Sequence, residues 1–231
     1  MRTTYPLYGS PESSAGAAGA IRRATVQDLL GIVSVHRRAF SQFFLTRLGS
    51  EFLRRYYRLV LDYRAGIVFV GETGGKIKGF VCGFKDPVAF YRLMWNKRRA
   101  FLLPVVSALI RRPSLAAGVL HGVQRIQSSA SACDPALAEG ACELSSIAVA
   151  PEASSGGLGA ALLEAFLEQA WRLEAKCVYL TTDADSNAAA NALYRKAGFE
   201  HAKRFLQRKG RWMNWYVIGR KPAEDAYGRL R

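Results

Sequence analysis

Residues 142–173 hold the feature that most restricts the fold. Cys142–Val149 is a mostly apolar run closed by Ala150-Pro151, and a turn of small residues follows it, ending in Gly156-Gly157-Leu158-Gly159. Leu162, Phe166, Ala170 and Leu173 then recur at helical spacing, with Glu168 placed to pair with Arg172 one turn on. A strand, a glycine-rich turn and an amphipathic helix in that order predict an α/β layer in which the helix covers the sheet holding the strand. The helix start leaves unpaired N–H donors and a positive dipole end, and glycines let an anion approach the main chain. No Lys-Ser/Thr pair follows, so this is not a Walker loop, and the glycine spacing is not that of a dinucleotide fingerprint. Taken alone, the turn is equally compatible with a plain connection.

A second constellation lies downstream. Asn187, Ala190, Asn191 and Tyr194 share one face of a predicted helix over 187–196, closed by Gly198. That face offers amides, a small gap and a phenol. The alternative is a core tyrosine with Asn187 serving only as a helix cap.

The rest of the chain reads as one domain. Residues 1–20, rich in Ser, Ala, Gly and Pro, are expected to be a disordered tail, and 222–231 a second tail, around a domain over 21–221. Ile21–Ala24 predicts a short strand, and Thr25 caps a helix running toward Phe40. A second helix is expected over Ser50–Tyr63, with Leu53, Tyr56, Tyr57 and Val60 inward. Ile67–Gly71 and Ile77–Phe84 flank Gly74-Gly75 as a hairpin. Cys177–Thr182 predicts a strand, and Ala202–Leu206 and Trp212–Gly219 a last pair across Lys209-Gly210.

Residues 87–133 contain no Asp or Glu but do contain Arg92, Lys97, Arg98, Arg99, Arg111, Arg112 and Arg125. They predict a broken helical insert, with Pro104, Pro113 and Gly118 as punctuation. The whole chain of 231 residues carries a formal net charge of +15, which favours anionic partners. The apolar stretch Ala100–Ile110 is shorter than the roughly 20 residues a spanning helix needs. Cys82, Cys133, Cys142 and Cys177 form no CxxC pair, so they predict small core residues in a reducing cytoplasm and no metal site.

The two constellations together resemble the GNAT (GCN5-related N-acetyltransferase) superfamily over roughly residues 21–220. Leu144-Ser145-Ser146-Ile147-Ala148-Val149-Ala150-Pro151 is similar to the family's strand, L-x-x-hydrophobic-x-V-x-P. Asn187, Ala190, Leu193, Tyr194, Lys196, Gly198 and Phe199 match its later helix, N-x-x-A-x-x-L/F-Y-x-K-x-G-F. The family's phosphate loop, Gln/Arg-x-x-Gly-x-Gly/Ala, corresponds to Ser154–Gly159. It usually begins with Gln or Arg and then Gly, where this chain has Ser154 and Ser155.

The resemblance implies an α/β GNAT fold: a central mixed, mostly antiparallel twisted sheet with splayed central strands, flanked by helices and carrying the helical insert. It implies acetyl-CoA as cosubstrate and a primary amine as acceptor, attacked directly and without an acyl-enzyme. A small molecule or amino sugar is favoured over protein. Ile147, Ala148 and Val149 would pair with the pantetheine arm. Ser154, Ser155, Gly156, Gly157, Leu158, Gly159 and Ala160 would hold the pyrophosphate, and Asn187 and Tyr194 would line the cofactor site. Tyr194 would also protonate the departing thiolate. Glu143, heading the central strand, is the first candidate for the base, with an exposed strand-end charge as its alternative. Asp183 and Asp185 are weaker candidates and could be turn residues. His36, His121 and His201 have no motif around them.

For 87–133 three readings stay open: a lid over the acceptor side, an anionic membrane surface or anionic substrate, and nucleic acid. The last is disfavoured by the lack of a reading motif and by the few interleaved aromatics. The protein is expected in the cytoplasm or peripheral to the membrane, with a homodimer as one possible state. The rival class is a non-catalytic acyl-CoA-binding or interaction module, motivated by Ser154-Ser155.

Overall fold

The computed structural model describes residues 20–41, 43–120, 140–154, 156–207 and 210–220. The expected tails, the end of the insert, Cys133 and His121 lie outside these residues, apart from Ala20, which opens the first strand.

Seven strands form one sheet in the order β1-β2-β3-β4-β5-β7-β6. They are β1 (Ala20–Arg23), β2 (Gly66–Thr73), β3 (Lys76–Lys85), β4 (Ala141–Val149), β5 (Cys177–Asp183), β6 (Glu200–Gln207) and β7 (Arg211–Gly219). Every neighbouring pair is antiparallel except β4 and β5. The helices are α1 (Leu29–Ala39), α2 (Phe44–Arg47), α3 (Ser50–Asp62), α4 (Pro87–Asn96), α5 (Arg99–Arg111), α6 (Leu158–Arg172) and α7 (Ala188–Lys196). Thr25 starts a 3-10 turn over Val26–Asp28 rather than α1 itself, and the Asp28 carboxylate accepts from the Thr25 amide at 2.7 Å.

Each face of the sheet has its own core. On the front face, α1 and α3 bury Ile32, Val35, Leu53, Tyr57 and Val60 against Phe80, Cys82 and Phe84 of β3, and Phe90 and Phe101 extend this cluster into α4 and α5. On the back face, α6 buries Leu158, Leu162, Leu163, Phe166 and Ala170 against Val81, Leu144 and Val178, with Tyr194 and Phe199 alongside. The predicted α6 stripe is therefore inward, with Leu173 half-buried at its end. Complete burial of such aliphatic or aromatic side chains stabilises by about 2 kcal/mol each, so Phe166→Ala is expected to cost about 3–5 kcal/mol.

One expectation is corrected in the insert. Pro104 lies inside α5 and is buried instead of breaking the helix. A proline leaves the carbonyl four residues back without its donor. Here that carbonyl is Ala100 O, and it accepts from the Arg55 guanidinium of α3. A side chain from a neighbouring helix thus replaces the missing main-chain bond. Pro113 does end α5, opening a 3-10 turn over Pro113–Leu115, whereas Gly118 sits within a helical stretch at 116–120. Among the described residues no helix is long and apolar enough to cross a membrane, and no three His, Cys, Asp or Glu side chains converge as metal ligands. Cys82 and Cys142 are buried thiols, both pushed up by desolvation.

Candidate active site

The site is organised by an incomplete pairing. β4 runs beside β3 along its length but meets β5 only at Ala141–Cys177, Cys142–Val178 and Glu143–Tyr179. Beyond Glu143 the two strands part, so Leu144–Val149 presents an edge with no strand beside it. Ile147, Ala148 and Val149, the predicted pantetheine-pairing residues, lie on that edge. An open main-chain edge inside a sheet is a ready acceptor for an extended, amide-bearing chain.

At the end of β4 the chain makes a 3-10 turn over Pro151–Ala153 and enters α6. Gly157 is the residue before the helix, at φ 72°, a left-handed conformation that glycine adopts without strain. No side chain caps this end. Among the described residues the amides of Gly157, Leu158 and Gly159 meet no acceptor, so the dipole end of a 15-residue helix points its donors outward. These orphan donors fit a pyrophosphate. Ser154 directs both its hydroxyl (2.8 Å) and its amide (3.4 Å) to the Pro151 carbonyl, so the glycine-turn amides rather than this hydroxyl are available to an anion. Ser155 lies outside the described residues. Arg38 and Lys78 approach the turn but pair with Glu152 at 2.7 and 3.0 Å.

The Asn187 helix closes on the same region. A Cβ built on Gly159 would lie 3.7 Å from both Leu193 of α7 and Val149 of β4, so the two motifs meet in space. Tyr194 is buried, with its ring 5.8 Å from those of Phe199 and Tyr216. Its hydroxyl has no partner among the described residues. Desolvation pushes the phenol well above its ordinary value, which keeps it protonated at neutral pH. Asn187 precedes α7 without capping it; its amide donates to Thr182 Oγ1 at 2.9 Å. Asn191, which shares that face, is a structural tie: it donates to the Asp183 and Asn187 carbonyls and accepts from Asn214 and Tyr216.

Glu143 sits where β4 and β5 begin to part, on the front face. It is buried, not an exposed strand-end charge. Tyr91 of α4 donates to Oε1 and Tyr179 of β5 donates to Oε2, both at 2.9 Å. A carboxylate oxygen has two lone pairs, so each can accept one further proton donor from the opening. Glu143 therefore lies on the front side of the sheet and Tyr194 in the cluster behind it. The weaker base candidates are occupied as turn residues. Burial raises Asp183, but bonds from the Ser186 and Asp185 amides and from Arg211 outweigh it and leave the group lowered. Asp185 pairs with Arg204 at 2.7 Å.

Next to Glu143 the strand carries a bulge. Cys82 pairs with Ser146 and Gly83 with Leu144, which leaves Ser145 as an extra residue on β4. Gly83 is needed opposite it, since a Cβ there would meet Glu143 O at 2.0 Å. The bulge turns Ser145 and Ser146 to the same face. Tyr56 bonds Ser145 Oγ at 2.6 Å, while Tyr57 bonds Ser146 and meets His36 Nδ1 at 2.6 Å. His36 is buried, its Nε2 has no partner among the described residues, and desolvation lowers it to about 4, so the ring is neutral. Arg211 of β7 lies over the Phe43 ring at 5.0 Å, tying that strand to the segment between α1 and α2. Tyr56, Tyr57, Tyr91, Tyr179 and His36 were not expected at the site. On β5, alternation could have placed Tyr179 on the face opposite Val178, but only the β4–β5 register brings it to Glu143.

The acetyltransferase (GNAT) family model matches residues 32–199. Solved structures share the fold at low identity. The ribosomal-protein-S18-alanine N-acetyltransferase of Escherichia coli is 17% identical at a TM-score of 0.55, covering 90% of this chain and 99% of its own. The ribosomal-protein-alanine N-acetyltransferase of Brucella melitensis is 18% identical at 0.58, covering 87% and 99%. The yncA structure from Salmonella typhimurium, with its cofactor acetyl-CoA, is 17% identical at 0.57, covering 90% and 98%. No curated protein matches the chain. With a family model spanning most of the sheet and both motif-bearing helices, the chain belongs to the GNAT family of acetyl-CoA-dependent N-acetyltransferases.

Proposed function

We propose that the protein transfers the acetyl group of acetyl-CoA to a small primary amine by direct attack. The pantetheine arm pairs with the open edge at Ile147–Val149, and the pyrophosphate rests on the amides of the glycine turn. The acceptor enters from the front face as an ammonium and gives one proton to Glu143, directly or through water. The neutral nitrogen then attacks the thioester carbonyl and the C–N bond forms; the C–S bond breaks as the tetrahedral adduct collapses, and the second proton leaves the nitrogen to water. Tyr194, protonated and on the far side of the opening, donates to the leaving thiolate. The observation that carries this reading is a buried carboxylate on the front of the sheet and, in the cluster behind it, a buried phenol with no hydrogen-bond partner among the described residues.

The contact of Arg211 with Phe43, which ties β7 to the segment between α1 and α2, supports a small amine or amino sugar over a folded protein if it narrows the acceptor side. The acid-free stretch before β4 supports an anionic substrate or an anionic surface on that side. The test is acetyl-CoA consumption across amino sugars, polyamines and peptides. Turnover of small amines is expected. Turnover confined to peptides would overturn the acceptor assignment. Acetyl-CoA binding by calorimetry with no turnover in any class would replace catalysis by an acyl-CoA-binding role, the second reading, which the commitment of Ser154 to Pro151 favours.

A further inference from the structure

α5 is apolar on both sides. Its inner side is fixed: Phe101, Pro104 and Ala108 are buried, the Phe101 ring lies 5.3 Å from Phe52 of α3, and Arg55 holds the Ala100 carbonyl. Its outer side is an arc of about 100° holding Leu102, Val106, Arg99, Ile110 and Leu103, by the 3.6-residue turn. The four aliphatics on it are 56%, 48%, 76% and 73% exposed in the order Leu102, Val106, Ile110, Leu103. Among the described residues nothing covers them. Scattered surface leucines need no explanation, but four on one helical stripe do.

A groove of about 590 Å³ runs along the flank of this stripe, between α5 and the start of α3. Arg37, Arg47, Arg111 and Arg112 line it, and Leu103 belongs to both groove and stripe. Among the described residues none of the four arginines has a carboxylate partner. The one acid in the groove, Glu51, is taken by Arg54 and Arg55 at 2.9 and 2.7 Å. No Asp or Glu occurs in α4, α5 or the turn that follows. Four uncompensated guanidinium groups beside an aliphatic stripe are complementary to a surface that presents phosphates and hydrocarbon together.

We propose that this face docks on an anionic phospholipid bilayer, with the α5 stripe entering the boundary between headgroups and acyl chains and the arginine groove holding lipid phosphates. A nucleic acid would satisfy the arginines but leave Leu102, Val106 and Ile110 in water, and the stripe offers no aromatic ring for bases to stack on. Free phosphate has the same defect. The inference concerns binding alone and is independent of the acetyl-transfer reading.

The experiment is co-sedimentation of the full chain with vesicles of phosphatidylcholine alone and of phosphatidylcholine with phosphatidylglycerol. Binding is expected only to the anionic vesicles, and it should weaken as salt rises. Arg111→Gln with Arg112→Gln should lower the partition coefficient by about 30-fold. Leu102→Ser with Ile110→Ser should lower it by about tenfold or more. Both pairs are exposed, and unchanged acetyl-CoA binding and circular dichroism serve as fold controls. A parent that ignores anionic vesicles overturns the proposal. So does an aliphatic variant that binds as well as the parent, or duplex DNA binding that the aliphatic pair leaves untouched while vesicle binding is absent. A concentration-dependent dimer broken by the aliphatic pair, again without vesicle binding, would assign the face to a second copy and overturn it too.

Discussion

The two faces of the sheet meet the β4–β5 opening with different chemistry. The back face brings aliphatic packing from α6 and main-chain donors from the glycine turn; Tyr194 is the phenol it contributes. The front face brings side-chain oxygens and nitrogens: Glu143 between two phenols, and Tyr56, Tyr57, Ser145, Ser146 and His36 around the bulge. Main-chain recognition suits one fixed ligand and tolerates changes of side chain. A buried polar cluster does not, because each group removed strands its neighbour. Changes on the front should therefore alter turnover and pH behaviour, and changes to the main-chain donors of the back should alter acetyl-CoA affinity, with Tyr194 as the one back-face group expected to act on turnover.

The largest effect that would sharpen this contrast is at Glu143. Glu143→Gln keeps shape and one of the two acceptors, so that one phenol must turn to accept from the new amide, and it cannot take a proton; kcat should fall by about 10³-fold with acetyl-CoA affinity unchanged. A parallel loss of affinity in calorimetry would break the division between faces. Next comes His36. Its folded value of about 4 lies below the ordinary 6.5, so the fold favours the neutral ring. Stability is then complete above pH 6.5 and is lost as pH falls toward 4, by up to about 3 kcal/mol. Urea melts of the parent and of His36→Leu should diverge across that window, the variant being the flatter; parallel curves would show that another group governs acid sensitivity.

Tyr194→Phe should lower kcat by about 10²-fold, and little else should change, since the ring and its packing remain. A rate within twofold of the parent would mean that water protonates the thiolate. Gly157→Glu is the smallest of the set. It forces a side chain into a left-handed position and sets a negative charge at the helix end, so acetyl-CoA should bind about tenfold more weakly. Unchanged affinity in a folded variant would remove the phosphate from the glycine turn.

The back of the site was legible because its signals are local. The glycines of 156–159, the α6 stripe and the Asn187 helix each lie within one or two turns of chain, and their periods are those of the elements they form. The hairpin and the α3 stripe were legible for the same reason. The front was not. Tyr91 and Tyr179 stand on opposite sides of Glu143 in the chain, in different elements: a parallel register of three residues brings Tyr179 to the carboxylate, and the packing of α4 on the sheet brings Tyr91. Pro104 misled because its local meaning is a helix break, while the donor that replaces its missing bond, Arg55, comes from another helix. Short-range rules fail where a distant side chain settles a local debt.

The extra residue at Ser145 also acts on parity. In an unbroken strand Glu143, Ile147 and Val149 would point the same way, because alternation has a period of two. With Ser145 added, Glu143 faces the front while Ile147 and Val149 join the back cluster. The strand thus runs in two phases, odd positions forward before the bulge and even positions forward after it. Straightening the strand with Ser145 kept in it would put the downstream half out of step with its own core, exchanging Ala148 for Ile147 and Val149 on the crowded front, or else turn the carboxylate into the aliphatic layer beneath α6. Deleting Ser145 would instead leave these faces as they are and remove only the bulge and the bond to Tyr56. Chemistry on one side and cofactor packing on the other can coexist in one strand because the phase changes between them.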